Sequence, residues 1–189
     1  MSRIVWTMSV SLDGYMEGPD HDISWSRVDE ELHQHFNAWM APAGAFLSGR
    51  TTYELMVSYW PIADQDPDIS PAELEFAGIW RDTPKVVYSR TLDHAEGNTT
   101  VVAAIDPVEV RALQAQYDGD LVVGGSVLGA EFLRLGLIDE FRVYVHPVLI
   151  GRGTPMFQPQ DVNVPLELVG TRTFGNGVVL LQHRPAGAQ

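Results

Sequence analysis

Three short apolar runs in this chain are each followed at once by residue types that suit a phosphate group. Two of the groups set a hydroxyl beside an arginine, and the third opens on paired glycines. Glycine leaves the backbone uncovered, arginine can hold phosphate with two parallel hydrogen bonds, and a helix N-terminus offers free N–H groups. The three groups are Ser48-Gly49-Arg50-Thr51-Thr52, Tyr88-Ser89-Arg90 and Val123-Gly124-Gly125-Ser126.

Each group also has a purely structural interpretation. A Gly-Gly turn before a helix is common, and Arg50 could instead pair with a surface carboxylate. What favours binding is the order of the elements. If the three strands are parallel, their carboxyl ends lie at one edge of the sheet, where open α/β sheets bind ligands. The chain lacks G-x-G-x-x-G spacing, which argues against an ordinary Rossmann site.

Two stretches carry acids that could move a proton. Asp13 lies in the turn-rich loop of residues 11–20, where it is predicted to be a proton donor or substrate anchor, or to tie its own turn. Asp29 and Glu30 lie in the first predicted helix, which a Ser26 cap would start. For these two acids the alternative is a solvated helix face.

Hydrophobic periodicity predicts strands that alternate with helices up to residue 135, and strands alone after it. We therefore expect one α/β domain over residues 1–189, with a mostly parallel sheet and antiparallel strands at one edge. The later predicted elements are a long strand over 139–150 and a terminal hairpin of 166–174 with 178–183, and a surface loop is predicted at 61–70.

Composition restricts the classes of function. The net charge is −13 and Lys85 is the only lysine, which argues against nucleic-acid binding. The absence of cysteine excludes disulfides and zinc–thiolate sites, and His33 and His35, two apart on a helix, would not face one metal. No run approaches the ~20 apolar residues that span a membrane. A strand-like run from residue 3 leaves no room for a signal peptide, so we expect a cytoplasmic protein.

In this order, the motifs resemble the dihydrofolate-reductase-like superfamily. The nearest resemblance is to the C-terminal reductase domain of the bifunctional riboflavin-biosynthesis deaminase-reductase. It covers nearly the whole chain and implies a three-layer α/β/α fold. The matching motifs are Ser11-Leu12-Asp13-Gly14-Tyr15, Gly49-Arg50-Thr51-Thr52-Tyr53-Glu54, Val87-Tyr88-Ser89, Gly124-Gly125-Ser126, Gly136-Leu137-Ile138-Asp139-Glu140 and Pro147-Val148-Leu149-Ile150-Gly151-Arg152-Gly153.

The resemblance implies a site for NADPH. Arg50 or Arg90 would read the 2′-phosphate, and Ser89 would lie near the adenosine end. The remaining implied contacts are Gly49, Arg50, Thr51 and Thr52 with the cofactor phosphates, and Gly124, Gly125, Ser126 and Val127 with the pyrophosphate.

The resemblance also implies catalytic positions. Asp13 and Gly14 would lie by the nicotinamide under a mobile loop. Asp29 or Glu30 falls roughly where dihydrofolate reductases keep their one catalytic carboxylate. Hydride chemistry would belong to the cofactor, and Asp13 or Asp29 would supply or relay the proton.

One position departs from the riboflavin enzymes, in which an acid precedes the paired glycines. Here that residue is Val123, and the chain is poor in cations that could hold a ribosyl phosphate. The sequence therefore predicts an NADPH-dependent reductase of a small heterocyclic or carbonyl substrate. The alternatives are a non-catalytic nucleotide-binding or sensing protein and the riboflavin-pathway reductase itself. We also expect a homodimer through the strand at 139–150 and the final hairpin.

Overall fold

The computed structural model describes residues 2–159 and 163–187, and in it strands alternate with helices up to residue 134. Its strands are β1 (Ile4–Ser11), β2 (Tyr15–Glu17), β3 (Ala45–Gly49), β4 (Lys85–Tyr88), β5 (Thr99–Val102), β6 (Leu121–Val123), β7 (Glu140–His146), β8 (Thr154–Pro155), β9 (Leu166–Thr173) and β10 (Val179–Pro185). Its α-helices are α1 (Glu30–Met40), α2 (Arg50–Val57), α3 (Pro71–Asp82), α4 (Pro107–Gln116) and α5 (Ser126–Arg134). Short 3-10 helices span Pro19–His21 and Trp60–Gln65, so the stretch predicted as the loop 61–70 is partly helical.

Eight strands form one sheet in the order β5-β4-β3-β6-β1-β7-β10-β9. The six strands from β5 to β7 are parallel, and β10 and β9 add the antiparallel hairpin at one edge. A second, two-stranded antiparallel sheet joins β2 to β8. The predicted fold class, a mostly parallel α/β sheet with a terminal antiparallel hairpin, is confirmed.

The strand predicted over 139–150 is present but shorter, and it does not lie at an edge. β7 ends at His146, directly before Pro147, which has no N–H for a sheet hydrogen bond. β7 also lies inside the sheet, paired with β1 on one side and β10 on the other. It therefore offers no free edge to a second subunit, and the free edge on this side of the sheet belongs to β9.

The helix starts follow their capping residues. Ser70 and Glu73 form a capping box at the start of α3. The predicted cap at Ser26 is wrong, since Asp29 caps α1 by accepting a hydrogen bond from the Leu32 N–H at 3.0 Å. The residues just before it stay non-helical because the Arg27 N–H and C=O are bound elsewhere, by His146 and Asn176.

Apolar side chains cover both faces of the sheet. On one face, Trp6 and Phe141 of the sheet pack against α5, which contributes Phe132. This packing requires Gly129, because a Cβ there would lie 2.0 Å from the Trp6 ring. On the other face, Tyr144 packs against Phe36 of α1, with ring centroids 4.7 Å apart.

A cluster of charges joins four strands where β1 and β7 begin. The Glu140 carboxylate is buried, with 1% of its side chain exposed, and it contacts Arg3, Arg142 and Arg184. Arg3 also binds Asp120, just before β6. A buried carboxylate is tolerated only when it is paired in this way, so the cluster links the beginnings of β1 and β7 to the end of the antiparallel strand β10.

Candidate functional site

The carboxyl ends of five neighbouring parallel strands meet at one edge of the sheet. In spatial order they are β4, β3, β6, β1 and β7, all paired in parallel register. The sequence predicted that the three candidate phosphate-binding motifs lie at one edge of the sheet. The parallel order of their strands confirms this. The loop after β1 reaches the same edge, which places Asp13 and Gly14 there as well.

The paired glycines lie against the first turn of α2. A Cβ at Gly125 would be 2.8 Å from Thr52 Oγ1, and one at Gly124 would be 3.8 Å from Thr52 Cγ2. Gly125 also has φ +90°, which strongly favours glycine. The Gly125 N–H points to the Met8 sulfur at 3.2 Å, a weak acceptor. This arrangement places a turn without side chains between the N-termini of two helices.

Both of those helices begin without a side-chain cap. The N-cap residues are Gly49 for α2 and Gly125 for α5, and neither can supply a capping oxygen. The first N–H groups of each helix are therefore left for another acceptor. Ser126 is buried in the first turn of α5, whereas Val127 is 77% exposed. Two open N-termini beside a bare turn are suited to an anionic phosphate.

The arginines of the site differ in their present partners. Arg50 Nε lies 2.7 Å from Glu54 Oε1, so the structural alternative considered for this residue is realised. Its guanidinium also donates to Thr91 Oγ1 at 3.1 Å, which ties α2 to the loop after β4. Both side chains are about half exposed, and such pairs are weak. Arg90 is exposed and makes no ion pair within the part of the chain that the structure describes.

The hydroxyl groups beside these arginines also have defined places. Ser89 Oγ accepts hydrogen bonds from the N–H groups of Thr91 at 3.2 Å and Leu92 at 3.0 Å, which fixes the turn after β4. Thr51 is exposed in the first turn of α2. The structure thus brings the predicted cofactor residues of α2, α5 and the β4 loop to one edge.

Asp13 joins two loops rather than its own turn. Its carboxylate accepts hydrogen bonds from the N–H groups of Ile150 at 3.2 Å and Gly151 at 2.7 Å. Hydrogen bonding from Ser11, and then from the Gly151 and Ile150 backbone, lowers the pKa of Asp13. A carboxyl group held in its charged form is a poor proton donor at neutral pH, so the geometry favours the anchoring role over proton donation. Gly14, at φ +87°, allows the turn to form.

The acids of α1 serve the helix itself. Asp29 is exposed and caps the N-terminus, as described above, and Glu30 accepts a hydrogen bond from Gln34 Nε2 at 2.7 Å. Neither contact leads toward the paired glycines. In the ligand-free arrangement, the alternative of a solvated, helix-stabilising acidic face accounts for both residues.

One histidine at the same edge was missed by the sequence reasoning. His146 ends β7 and is completely buried. Its Nδ1 accepts a hydrogen bond from the Arg27 N–H at 3.1 Å, and its ring lies 5.5 Å from that of Trp25. Burial lowers the pKa of His146. The available signal is Pro147, which directly follows His146 and ends the strand there.

A cavity of about 320 Å³ lies apart from these residues, between α4 and the strands β4 and β5. Its lining includes Tyr88, Val110 and Tyr117, together with the acids Asp106 and Glu109. It includes neither the paired glycines nor the first turn of α2. Acids repel phosphate, so this cavity is not the phosphate cradle.

The part of the chain that the structure describes has neither a metal-binding cluster nor a membrane-spanning helix. Across 2–159 and 163–187, no three acids or histidines are grouped closely enough to hold a metal ion. In the same part of the chain, no helix combines the length and apolar character needed to cross a membrane.

The fold and the edge site define a dihydrofolate-reductase-like class of protein. Dihydrofolate reductase from Enterococcus faecalis, solved with NADP(H), superposes with a TM-score of 0.65 at 15% identity over 97% of this chain and 96% of that one. A pyrimidine reductase-like protein from Corynebacterium diphtheriae gives 0.67 at 12% identity, over 97% and 92%. These likenesses are in fold.

Within that class the chain belongs to the RibD C-terminal domain family, whose model matches residues 2–180. The chain is also 33% identical over 178 residues to YyaP of Bacillus subtilis (strain 168), a match covering 94% of this chain and 92% of that protein. The family resemblance seen in the sequence is confirmed.

Proposed function

We propose that this protein is an NADPH-dependent reductase of a small heterocyclic, pterin- or pyrimidine-like, or carbonyl substrate. The observation that carries the proposal is the bare turn Gly124-Gly125 against Thr52, between two uncapped helix N-termini. A turn without side chains beside two uncapped helix N-termini fits the pyrophosphate of a dinucleotide. The printed description of the E. faecalis neighbour, which was solved with NADP(H), supports the same cofactor.

The chain's own residues divide the work of binding. Gly124, Gly125, Ser126 and Val127 would hold the pyrophosphate, and Gly49, Thr51 and Thr52 would meet the phosphates from α2. Arg90 would read the 2′-phosphate with Arg50, whose weak pair with Glu54 can be exchanged, and Ser89 would lie near the adenosine. When bound, the cofactor supplies the hydride.

Positioning and proton supply would come from the loops at the same edge. Asp13 holds the loop after β1 to the loop after β7 through two backbone N–H groups, and Gly14 lets that loop turn toward the nicotinamide end of the site. Of the two candidate acids, Asp13 would act as the anchor and Asp29 would supply the proton. Within the described chain, the Asp29 carboxylate accepts a backbone hydrogen bond only from the Leu32 N–H that it caps. It is therefore the acid that can more readily turn toward a substrate.

A second candidate is a non-catalytic nucleotide-binding or sensing protein on the same fold. The observation that favours it is that both candidate acids are already engaged, Asp13 by backbone amides and Asp29 by its cap. The riboflavin-pathway reaction is a third candidate and rests on the family name. Against it, Val123 is fully buried between Trp6 and Leu47, so the residue before the glycines cannot contact a substrate.

Turnover separates these candidates. Purified protein with NADPH is offered panels of pterins, oxo-pyrimidines and quinones, and the loss of reduced-nicotinamide absorbance is followed. The reductase proposal expects substrate-dependent oxidation of NADPH for at least one compound, weakened in Asp29→Asn but not in the exposed control Asp68→Asn. NADPH binding without turnover on any panel would support the sensing protein instead. Complementation of a strain that lacks only the riboflavin reductase step tests the third candidate.

We further propose a homodimer that pairs through the edge strand β9. This eight-residue strand is exposed along nearly its whole length and carries Leu166, Leu168 and Val169 on its surface. Long apolar edges of this kind tend to pair with another strand. Light scattering at micromolar protein should give twice the chain mass, and Leu168→Lys should give the monomer. A monomer mass for the unaltered chain would contradict the dimer.

A further inference from the structure

The cavity between α4 and the strands β4 and β5 has the size of a site for a small molecule. Its volume of about 320 Å³ falls within the range of small-molecule pockets. It lies beside β5, the last strand of the sheet, and exposed residues such as Thr100 and Gln116 line it, so it is open to solvent. Among the described residues that line it, none is a predicted cofactor contact. It is therefore a candidate site for a second ligand.

Two carboxylates lie at one end of this cavity without a cation. α4 begins after its N-cap Asp106 and carries Glu109 in its first turn. Asp106 accepts a hydrogen bond from the Val108 N–H at 2.8 Å with one oxygen, which leaves its second oxygen for another donor. Within the described chain, neither acid makes an ion pair, and the Glu109 carboxylate accepts no hydrogen bond. This end of the cavity therefore carries uncompensated negative charge.

The lysine that lines the cavity does not neutralise these acids. Side chains alternate along β4, so Lys85 and Val86 point to opposite faces of the sheet. Val86 packs in the core that includes Val110 of α4. The Lys85 ammonium is on the other face, where Nζ lies 4.4 Å from the centroid of the Trp80 ring of α3. It donates there to the Thr83 carbonyl at 2.7 Å and to Asn98 Oδ1 at 2.8 Å.

Aromatic and aliphatic side chains line the rest of the cavity. Tyr88 lies at the acidic end, where burial and then the charge of Glu109 raise the pKa of Tyr88 to about 12, so its hydroxyl stays neutral and can accept a hydrogen bond. Val102 and Leu113 add apolar surface, and Tyr117, which follows α4, lies at the far end. Aromatic rings and carboxylates both attract cations, whereas an apolar wall buries a hydrocarbon body.

We propose that this cavity binds a small organic ammonium ion, with its charged head at Asp106, Glu109 and Tyr88 and its apolar body against Val102 and Leu113. The two carboxylates repel anions, so this ligand has the opposite charge to a nucleotide. The site does not depend on the proposed cofactor or reaction, because it shares no residue with them.

The test compares three compounds that share a phenylethyl body and differ in charge: 2-phenylethylammonium, 2-phenylethanol and 3-phenylpropanoate. Each is titrated into protein with ¹³C-labelled valine and leucine methyl groups, which are followed by NMR. The ammonium ion should shift the methyl groups of Val102 and Leu113 and leave that of Val127, at the paired-glycine turn, unchanged. The alcohol should bind at least about tenfold more weakly, and the carboxylate more weakly still.

Variants make the same test from the protein side. Glu109→Gln should weaken binding of 2-phenylethylammonium by about tenfold, and Glu109→Lys should abolish it. Glu109 is exposed, so neither change disturbs the core. Glu167→Gln is the matched control. It removes the same charge from β9, at the opposite edge of the sheet, and should change the affinity by less than about twofold.

The outcomes separate this inference from the proposed function. Equal binding of the three compounds, shifts at Val127 in place of Val102 and Leu113, or equal losses in Glu109→Gln and Glu167→Gln would each overturn the ammonium site. Displacement of the ammonium ion by NADPH would also overturn it, since the cavity would then belong to the cofactor site. A chain that binds 2-phenylethylammonium in this way but does not bind NADPH would uphold the ammonium site and remove the cofactor proposal.

Discussion

Thr52 and Gly125 approach so closely that a Cβ at residue 125 would lie 2.8 Å from Thr52 Oγ1. One residue belongs to the first turn of α2 and the other caps α5. Their contact is the place where two open helix N-termini meet, and the proposed cofactor site depends on it.

Gly125→Ala should therefore damage cofactor binding. The new methyl group would press on Thr52, and alanine is strained at φ +90°. We expect at least about a tenfold loss of NADPH affinity, measured by quenching of tryptophan fluorescence, with the fold kept. Gly78→Ala is the matched control, because no atom lies within 4 Å of its added Cβ. Unchanged affinity in Gly125→Ala would show that the turn does not hold the cofactor.

Arg90 and Arg50 should contribute unequally to recognition of the 2′-phosphate. Arg90 is exposed without an ion pair in the described chain, whereas Arg50 would have to leave Glu54. Arg90→Ala should weaken NADPH binding by about tenfold and leave NADH binding unchanged, and Arg50→Ala should have the smaller effect. If Arg90→Ala weakened both cofactors equally, its contact would be with another part of the dinucleotide.

Glu140 should be important for stability but not for binding. Its buried carboxylate holds Arg3, Arg142 and Arg184. In Glu140→Ala, Arg142 and Arg184 would lose the ion pairs that the described chain gives them, and Arg3 would keep Asp120 alone. We expect a loss of about 3–5 kcal/mol in the free energy of unfolding, measured by urea denaturation. Glu131→Ala, which removes the exposed pair with Arg134, should cost less than about 1 kcal/mol. Equal losses would show that the Glu140 cluster contributes no more than a surface pair.

The folded chain should lose stability as the pH falls below about 6.5. Burial lowers the pKa of His33, His35 and His146. Below the ordinary histidine pKa the unfolded chain takes up protons that the folded chain does not, so the free energy of unfolding decreases with falling pH. His33→Gln should flatten this slope, measured by urea denaturation between about pH 7 and about pH 5, the range in which histidines titrate. The control His94→Gln, at an exposed residue, should leave the slope steeper than His33→Gln does. An unchanged slope in His33→Gln would contradict the assignment of part of this pH dependence to His33.

Much of the fold could be predicted because local signals agreed with the tertiary packing. The glycine-to-helix transitions at Gly49 and Gly125 and the capping box at Ser70 all lie where the sequence indicated. The predicted strand at 139–150 runs past the end of β7 because the alternation of residue types continues into Pro147. Proline has no N–H for a sheet hydrogen bond, so the strand stops before it. Its place inside the sheet depends on pairing with β1, which is distant in sequence.

The candidate site was predictable by residue type but not by present partner. The strand ends identified the shared edge, and the pair of Arg50 with Glu54 is a local i,i+4 contact within α2. The bonds of Asp13 to the Ile150 and Gly151 N–H groups, however, join residues that only the fold brings together. His146 escaped notice for the same reason. The Arg27 N–H donates to its Nδ1, and its Nε2 has no hydrogen-bond partner within the described chain. The sequence shows neither of these facts.

The central claim is that this edge of the sheet binds NADPH. It is tested most directly by titrating the unaltered, purified chain with NADPH while following its tryptophan fluorescence. A saturable change at micromolar cofactor, weaker with NADH and largely lost in Gly125→Ala, is the predicted result. No response at millimolar NADPH would contradict the account.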